Sequence, residues 1–176
     1  MGHDTGTGGG RLRICAESAG AEDPAERQPR LLVGFEKENG RLFHGTRIQY
    51  AAYPAQQHYA FGQYGICGTR GWVSMQGEAA DAKILAREVQ RLQVSIQSAV
   101  DAGLEPIVFL HYPPIYGTSM NYEILEVLHK YQIRKCYYGH VHGKSGHNHA
   151  FQGMYEGTEM RMISSDYLQF VPEQIL

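Results

Sequence analysis

The pattern of apolar and polar positions changes near residue 58. Residues 1–57 contain short apolar pieces with no sustained period, and they are rich in Gly, Arg, Ala, Pro and Gln. Runs such as Gly8-Gly9-Gly10 oppose regular structure. We therefore predict an irregular segment over residues 1–57, mostly disordered or loosely attached, followed by an ordered domain over residues 58–176.

The ordered part alternates between compact apolar runs and amphipathic stretches. In the first amphipathic stretch, Leu85, Val89, Leu92 and Ile96 recur at steps of three and four, which places them on one helix face, and charges such as Glu88 fall largely between them. The predicted elements are strands at 64–68, 106–110, 134–138, 159–163 and 168–171, and helices at 77–102 and 122–131. This order predicts an α/β fold with buried strands, whose reactive groups lie just beyond the strand ends.

Composition excludes several classes of protein. The chain has 176 residues, which fits one domain, and 43% of them are hydrophobic, enough for a real core. The formal net charge of −2 provides no basic surface, so we expect no nucleic-acid partner. The apolar runs are far shorter than the ~20 residues of a membrane span, and the first residues lack the apolar core of a secretory signal. Three widely spaced cysteines fit a reducing compartment, so we expect a cytoplasmic protein.

Two motifs carry candidate chemistry. In Val108-Phe109-Leu110-His111-Tyr112-Pro113-Pro114 a buried strand delivers a histidine, and the prolines end the strand at once. In Tyr137-Tyr138-Gly139-His140-Val141-His142-Gly143 another strand leads into two histidines. A single histidine at a strand end is usually structural, but the two motifs together favour a metal site, because imidazole is a good ligand for several divalent ions. We expect the three imidazoles to converge on one cation-sized space.

These motifs resemble the last two motifs of the calcineurin-like metallophosphoesterases, most closely a bacterial branch that also has a segment like Ile66-Cys67-Gly68-Thr69-Arg70-Gly71-Trp72. The resemblance covers residues 58–176 and implies a four-layer α/β/β/α sandwich with two divalent ions, Mn, Fe or Zn. It assigns His111 and His140 to one ion and His142 to the other. It implies hydrolysis of a small phosphomonoester or phosphodiester by a hydroxide that bridges the two ions.

The first half of that family's site is missing or degraded in this sequence. The resemblance calls for an Asp-x-His motif and a bridging aspartate in a Gly-Asp motif, and neither precedes residue 58. Gly2-His3-Asp4 is similar to a third motif that has lost its asparagine, which would make His3 the catalytic acid. A truncation, or a disturbance of the reading frame, would explain the loss.

Further residues have two interpretations each. Arg70 could pair with a phosphate and Tyr112 could line the substrate pocket, or both could serve the turn and its packing. Asp166 could hold a ligand histidine in place, or simply form a turn. His147 and His149 are more typical of a solvated loop than of a loop that faces a substrate.

The sequence thus predicts a metal-dependent phosphoesterase whose own activity is in question. One alternative is an inactive remnant that binds a metal or phosphate through His111, His140 and His142. A second is a half-domain that depends on a partner, since missing strands would leave a sheet edge open. The sequence fixes neither the substrate nor the oligomeric state.

Overall fold

The computed structural model describes residues 11–16, 31–36, 46–48, 58–71 and 79–176. Strands and helices alternate through most of these residues. The strands are β1 (Arg11–Ala16), β2 (Leu31–Glu36), β3 (Thr46–Ile48), β4 (Tyr59–Phe61), β5 (Tyr64–Thr69), β6 (Glu105–Leu110), β7 (Ile115–Tyr116), β8 (Ser119–Met120), β9 (Lys135–Tyr138), β10 (Gly153–Tyr155), β11 (Thr158–Met162) and β12 (Glu173–Gln174). The helices are α1 (Ala79–Asp101), α2 (Tyr122–Lys130) and α3 (Gly143–His147).

A six-stranded sheet in the order β10-β11-β9-β6-β5-β4 forms the centre of the described part. Its four inner strands, β11, β9, β6 and β5, are parallel to one another, and each of the two outer strands pairs antiparallel with its one neighbour. Because parallel strands point the same way, the carboxyl ends of all four inner strands lie at one edge of the sheet. This edge is where the α/β arrangement places reactive groups.

The inner strands are buried on both faces, as β6 illustrates. Val108 and Leu110 belong to an apolar cluster with residues of α1 and α2, whereas Ile107 and Phe109 belong to a second cluster on the opposite face. The alternation follows from the two-residue period of strand side chains. The continuous apolar run of β6 is therefore what a strand covered on both sides requires.

Helix α1 lies close to the predicted 77–102 and encloses Leu92 and Ile96 of the predicted apolar stripe fully, while Leu85 and Val89 are partly buried. Glu88 differs from its expected place between the apolar positions, because only 2% of its surface is exposed. A buried carboxylate needs partners, and Glu88 has the Thr69 hydroxyl and Arg91. Within the described residues, no helix has the length and apolar character needed to cross a membrane.

Helix α2 begins at Tyr122 because the Asn121 side chain accepts a hydrogen bond from the amide of Ile124, at 3.1 Å. Its apolar face is buried, with Ile124 and Leu128 nearly inaccessible. The helix ends one residue before the predicted Tyr131.

A second, four-stranded sheet has the order β12-β1-β2-β3 and is antiparallel wherever its pairings are known. Three of its strands lie within residues 1–57, where the sequence predicted irregular structure. The structure therefore differs from that expectation at these three stretches. The missing signal has a physical reason, since pairing with the distant β12 supplies backbone hydrogen bonds that local periodicity does not report.

The predicted strand at 168–171 is wrong. The segment forms turns, in which the amide of Leu168 donates to the carbonyl of Ser164 and that of Phe170 to Ser165. Gln169 and Phe170 have φ values of 53° and 58°, a backbone conformation incompatible with a strand. Phe170 is 69% exposed, so its apolar character does not report burial.

Candidate functional site

Polar side chains follow each of the four inner parallel strands at the same sheet edge. Arg70 follows β5, His111 follows β6, His140 and His142 follow β9, and Asp166 lies a short turn beyond β11. Backbone hydrogen bonds join neighbouring strand ends. For example, the amide of Tyr112 after β6 donates to the carbonyl of Arg70 after β5 at 3.0 Å. The fold thus gathers residues that are almost a hundred positions apart in the sequence.

His111 and His140 face each other directly. The Nε2 atom of His111 lies 3.0 Å from the Nδ1 atom of His140, with ring centroids 4.7 Å apart. Two nitrogen ligands about 2.1 Å from one ion lie roughly 3 Å apart when their bonds to it are perpendicular. The same distance also fits a hydrogen bond between two neutral imidazoles, one donating and one accepting. The 3.0 Å separation is thus compatible with a shared ion that binds the two nitrogens at a right angle and with a direct hydrogen bond between the rings.

The surroundings of the two rings favour the neutral form, although His111 is half-buried and His140 is exposed. Burial lowers the pKa of His111 from 6.5 to about 4, with further lowering from the neighbouring His140, Arg70 and His142. Burial also lowers the pKa of His140, and the nearby His142 adds to the effect. A neutral imidazole has a lone pair to offer, so the environment favours the form that binds metals.

His140 occupies a strained turn. Its φ is 69°, and the amide of Val141 donates to the carbonyl of Gly139 at 2.8 Å, which closes a three-residue turn around it. Turns of this type with a positive central φ are rare and costly for a residue with a Cβ. The turn reverses the chain directly after β9 and directs the His140 ring towards His111.

His142 does not join the nitrogen pair. Its Nδ1 atom lies 2.8 Å from an Asp166 carboxylate oxygen. In the described part of the chain, no group of three or more His, Cys, Asp or Glu side chains is arranged to hold a metal ion. The structure therefore brings together two of the three imidazoles expected to converge, and His142 stays near enough to influence the charge of both.

Asp166 connects His142 with the short helix α3. One carboxylate oxygen faces His142, and the other accepts a hydrogen bond from the amide of Gly143 at 2.7 Å and lies 3.2 Å from Nε2 of His147. Partial burial raises the pKa of Asp166, but the hydrogen bonds from Gly143 and His142 outweigh it and lower the pKa to about 2. Asp166 therefore has both of the features considered for it. Its side chain contacts His142, and its backbone carbonyl accepts a turn hydrogen bond from the amide of Gln169.

The other predicted site residues have different outcomes. Tyr112 packs against the pair, with its ring 4.7 Å from that of His111 and 4.3 Å from that of His140. Arg70 is half-buried beside His111 and contributes to its low pKa. His3 and Trp72 lie outside the described residues.

His147 is the site residue that sequence reasoning missed, because the segment appeared to be a solvated loop. Its side chain is only 18% exposed, beside Asp166 and the Tyr167 ring. No periodic signal marks it, since α3 has only five residues. His149 fits the expectation better, being exposed, with its Nδ1 atom 2.7 Å from the carbonyl oxygen of Ser145.

Comparison of the chain with family models, with curated proteins and with solved structures finds no match.

Proposed function

We propose that this sheet edge is part of the metal centre of a phosphoesterase of the calcineurin-like type, in which His111 and His140 hold a divalent ion. The observation that carries the proposal is the 3.0 Å approach of their ring nitrogens at the ends of adjacent parallel strands. Adjacent strand ends hold the two rings on a rigid frame, which limits the entropy lost when both bind one ion.

The donor set supports Mn, Fe or Zn, because neutral imidazoles suit all three. When bound, such an ion polarises a phosphoryl oxygen and activates water for attack on phosphorus. The grouping of the histidines agrees with the resemblance, which assigns His111 and His140 to one ion and His142 to another. That agreement of roles supports the family assignment beyond the spelling of the motifs.

Arg70 and Tyr112 support a phosphorylated substrate. The Arg70 guanidinium brings a fixed positive charge close enough to lower the pKa of His111, so an anionic group beside the histidines would meet that charge. The Tyr112 ring packs against both rings of the His111–His140 pair. We propose a small phosphomonoester or phosphodiester as the substrate.

The family assignment also implies that the two sheets are the inner layers of a four-layer sandwich. The packing of the six-stranded sheet supports this layered arrangement. Helices α1 and α2 cover one face of the sheet, and a separate apolar cluster lies on the other face. The Asp-x-His and bridging-aspartate motifs remain absent from the sequence. We propose that the first half of the site is missing or degraded, so that this chain is less active than a complete family member.

A second candidate function is an inactive protein that binds a metal or a phosphate. It is favoured by the lack of a third ligand around the His111–His140 pair among the described residues. Ion binding without turnover would distinguish it from the enzyme. The partner-dependent half-domain remains a further proposal, which size-exclusion chromatography tests: defined oligomers or aggregates support it, and a clean monomer opposes it.

The test measures zinc binding by titration calorimetry and hydrolysis of an aryl phosphate with Mn²⁺, both on the full chain. We expect His111→Ala and His140→Ala each to abolish binding at the shared ion. His129→Ala is the matched control, since this histidine is exposed on α2 and faces Glu156 before β11, at the opposite end of the sheet.

Each outcome has a defined meaning. Turnover lost in both site variants and kept in the control supports the phosphoesterase. Zinc binding with no turnover supports the inactive binding protein. If zinc does not bind, or binds equally well in all three variants, the metal centre is refuted and the 3.0 Å contact is a hydrogen bond between the two imidazoles.

A further inference from the structure

Three residues lie close to the Asp166 carboxylate. It contacts Nδ1 of His142 at 2.8 Å, accepts from the Gly143 amide at 2.7 Å and lies 3.2 Å from Nε2 of His147. The first two contacts hold the His142 ring and the Gly143 amide, where the loop after β9 leads into α3. His142 precedes that helix and makes no capping hydrogen bond with its own side chain, so Asp166 supplies the missing acceptor from across the site.

The contact with His142 has a chemical consequence. An aspartate that is ionised at neutral pH is an acceptor only, so the Nδ1 atom that lies 2.8 Å from its carboxylate oxygen must carry the ring proton. In the neutral ring the Nε2 atom then holds the only lone pair. Isolated imidazole side chains in water favour the opposite tautomer, in which Nε2 carries the proton. Asp166 thus selects the less common form of His142.

We propose that Asp166 is a positioning residue that holds His142 with Nδ1 protonated, so that His142 can bind an ion through Nε2 alone. Through the Gly143 amide the same carboxylate holds the start of α3 at the site. His140 would use the other ring nitrogen, because its Nδ1 atom is the one that faces Nε2 of His111. The inference deepens the proposed function and rests on it, since an orienting role matters only if His142 binds an ion.

The tautomer is measured first, without any metal. Nitrogen-15 spectra of the histidine side chains at pH 8 report which ring nitrogen carries the proton. We expect His142 to be protonated at Nδ1 in the unaltered chain, to shift towards Nε2 protonation in Asp166→Ala, and to keep its form in Asp166→Asn, whose carbonyl oxygen still accepts. The control is Asp101→Ala, because Asp101 is an exposed aspartate at the end of α1, where it accepts a hydrogen bond from Gln97.

Zinc affinity is measured next on the same variants. Loss of an orienting partner typically weakens metal binding 10- to 100-fold, so we expect that loss for Asp166→Ala, a smaller loss for Asp166→Asn and none for Asp101→Ala. Circular dichroism establishes that each variant is folded, and if Asp166→Ala is not, the comparison is made with Asp166→Asn alone.

The two proposals fail in different ways. If the unaltered chain binds no zinc, the proposed function fails, while the nitrogen-15 spectra still test the Asp166 contact. If zinc binds but His142 is protonated at Nε2, or if the zinc affinity of every folded Asp166 variant is unchanged, Asp166 has no orienting role and the proposed metal centre stands without it.

Discussion

The Thr69 hydroxyl donates a hydrogen bond to the Glu88 carboxylate, which joins the carboxyl end of β5 to helix α1. Both side chains are buried, and the carboxylate also pairs with Arg91 at 2.9 Å and with Arg87 at 3.9 Å. The next residue after Thr69 is Arg70, which enters the candidate site. The contact therefore fixes the end of β5 that carries Arg70, although neither Thr69 nor Glu88 belongs to the site.

Replacing Glu88 by Ala is expected to lower the free energy of unfolding by about 1–3 kcal/mol, because the Thr69 hydroxyl loses its acceptor in a buried place. Urea denaturation followed by circular dichroism measures the change. Glu126→Ala on α2 is the control, since Glu126 is exposed and such substitutions usually cost less than about 0.5 kcal/mol.

A double-mutant cycle with Thr69→Val separates the contact from general damage to α1. If the two residues interact, the double variant loses less stability than the sum of the two single losses, because each single change already breaks the same hydrogen bond. Strictly additive losses would show that Glu88 acts through Arg91 or through packing instead.

Helix α1 also illustrates what the sequence can predict. Its apolar stripe predicted the bounds of the helix closely, because burial of one helix face against a sheet leaves a periodic pattern in the sequence. The same pattern placed Glu88 among the surface charges, since a lone buried carboxylate breaks no period. Its burial depends on Thr69, a partner that only the fold brings near.

The candidate site divides in the same way. The motifs placed His111 and His140 at strand ends, and parallel pairing of β6 and β9 then brings them together. By contrast, neither the proximity of His147 to Asp166 nor the detachment of His142 from the pair follows from local sequence. Both depend on how the turn after β11 approaches α3, which local pattern does not encode.

The strained turn at His140 predicts an unusual order of stabilities. Both His140→Ala and His140→Gly remove the imidazole, but only glycine adopts a φ of 69° without a steric penalty. We expect the glycine variant to be more stable than the alanine variant by about 1 kcal/mol. Thermal unfolding of the two proteins measures the difference, and equal stabilities would mean that the turn relaxes once the ring is gone.

The low pKa of His111 predicts a loss of stability in weak acid. Its pKa is about 4 in the folded chain and 6.5 for an exposed ring, so between these values the unfolded chain binds more protons. Stability must then rise with pH across that window and fall as the pH is lowered from 6.5 to 4. Urea midpoints measured with a chelator present, at intervals from pH 7 to pH 4.5, test the direction.

His111→Gln is expected to flatten this dependence, because glutamine does not titrate. His129→Gln is the matched control and should retain the slope of the unaltered chain, as His129 is exposed. The expectation fails if the slope is the same in all three proteins. Asp166 acts in a separate pH window. Because its pKa is lowered from 3.8 to about 2, its contribution to stability is lost only as the pH falls below 3.8.

Arg70 is predicted to act on His111 through charge. Burial is the largest cause of the low His111 pKa, and Arg70 contributes a smaller part, so Arg70→Gln should raise that pKa while leaving it below 6.5. Titration of the His111 ring by NMR measures the shift. Arg134→Gln is the control, because Arg134 lies before β9 at the opposite end of the sheet and is largely exposed.

Arg70→Lys separates charge from shape. Lysine preserves the positive charge, so the His111 pKa should remain low, but it lacks the paired donors that match a phosphate. Inorganic phosphate should therefore bind more weakly to the lysine variant even though the His111 titration is unchanged. If phosphate binds the lysine variant as tightly as the unaltered chain, Arg70 contributes only its charge, and the geometry of its guanidinium does not select the ligand.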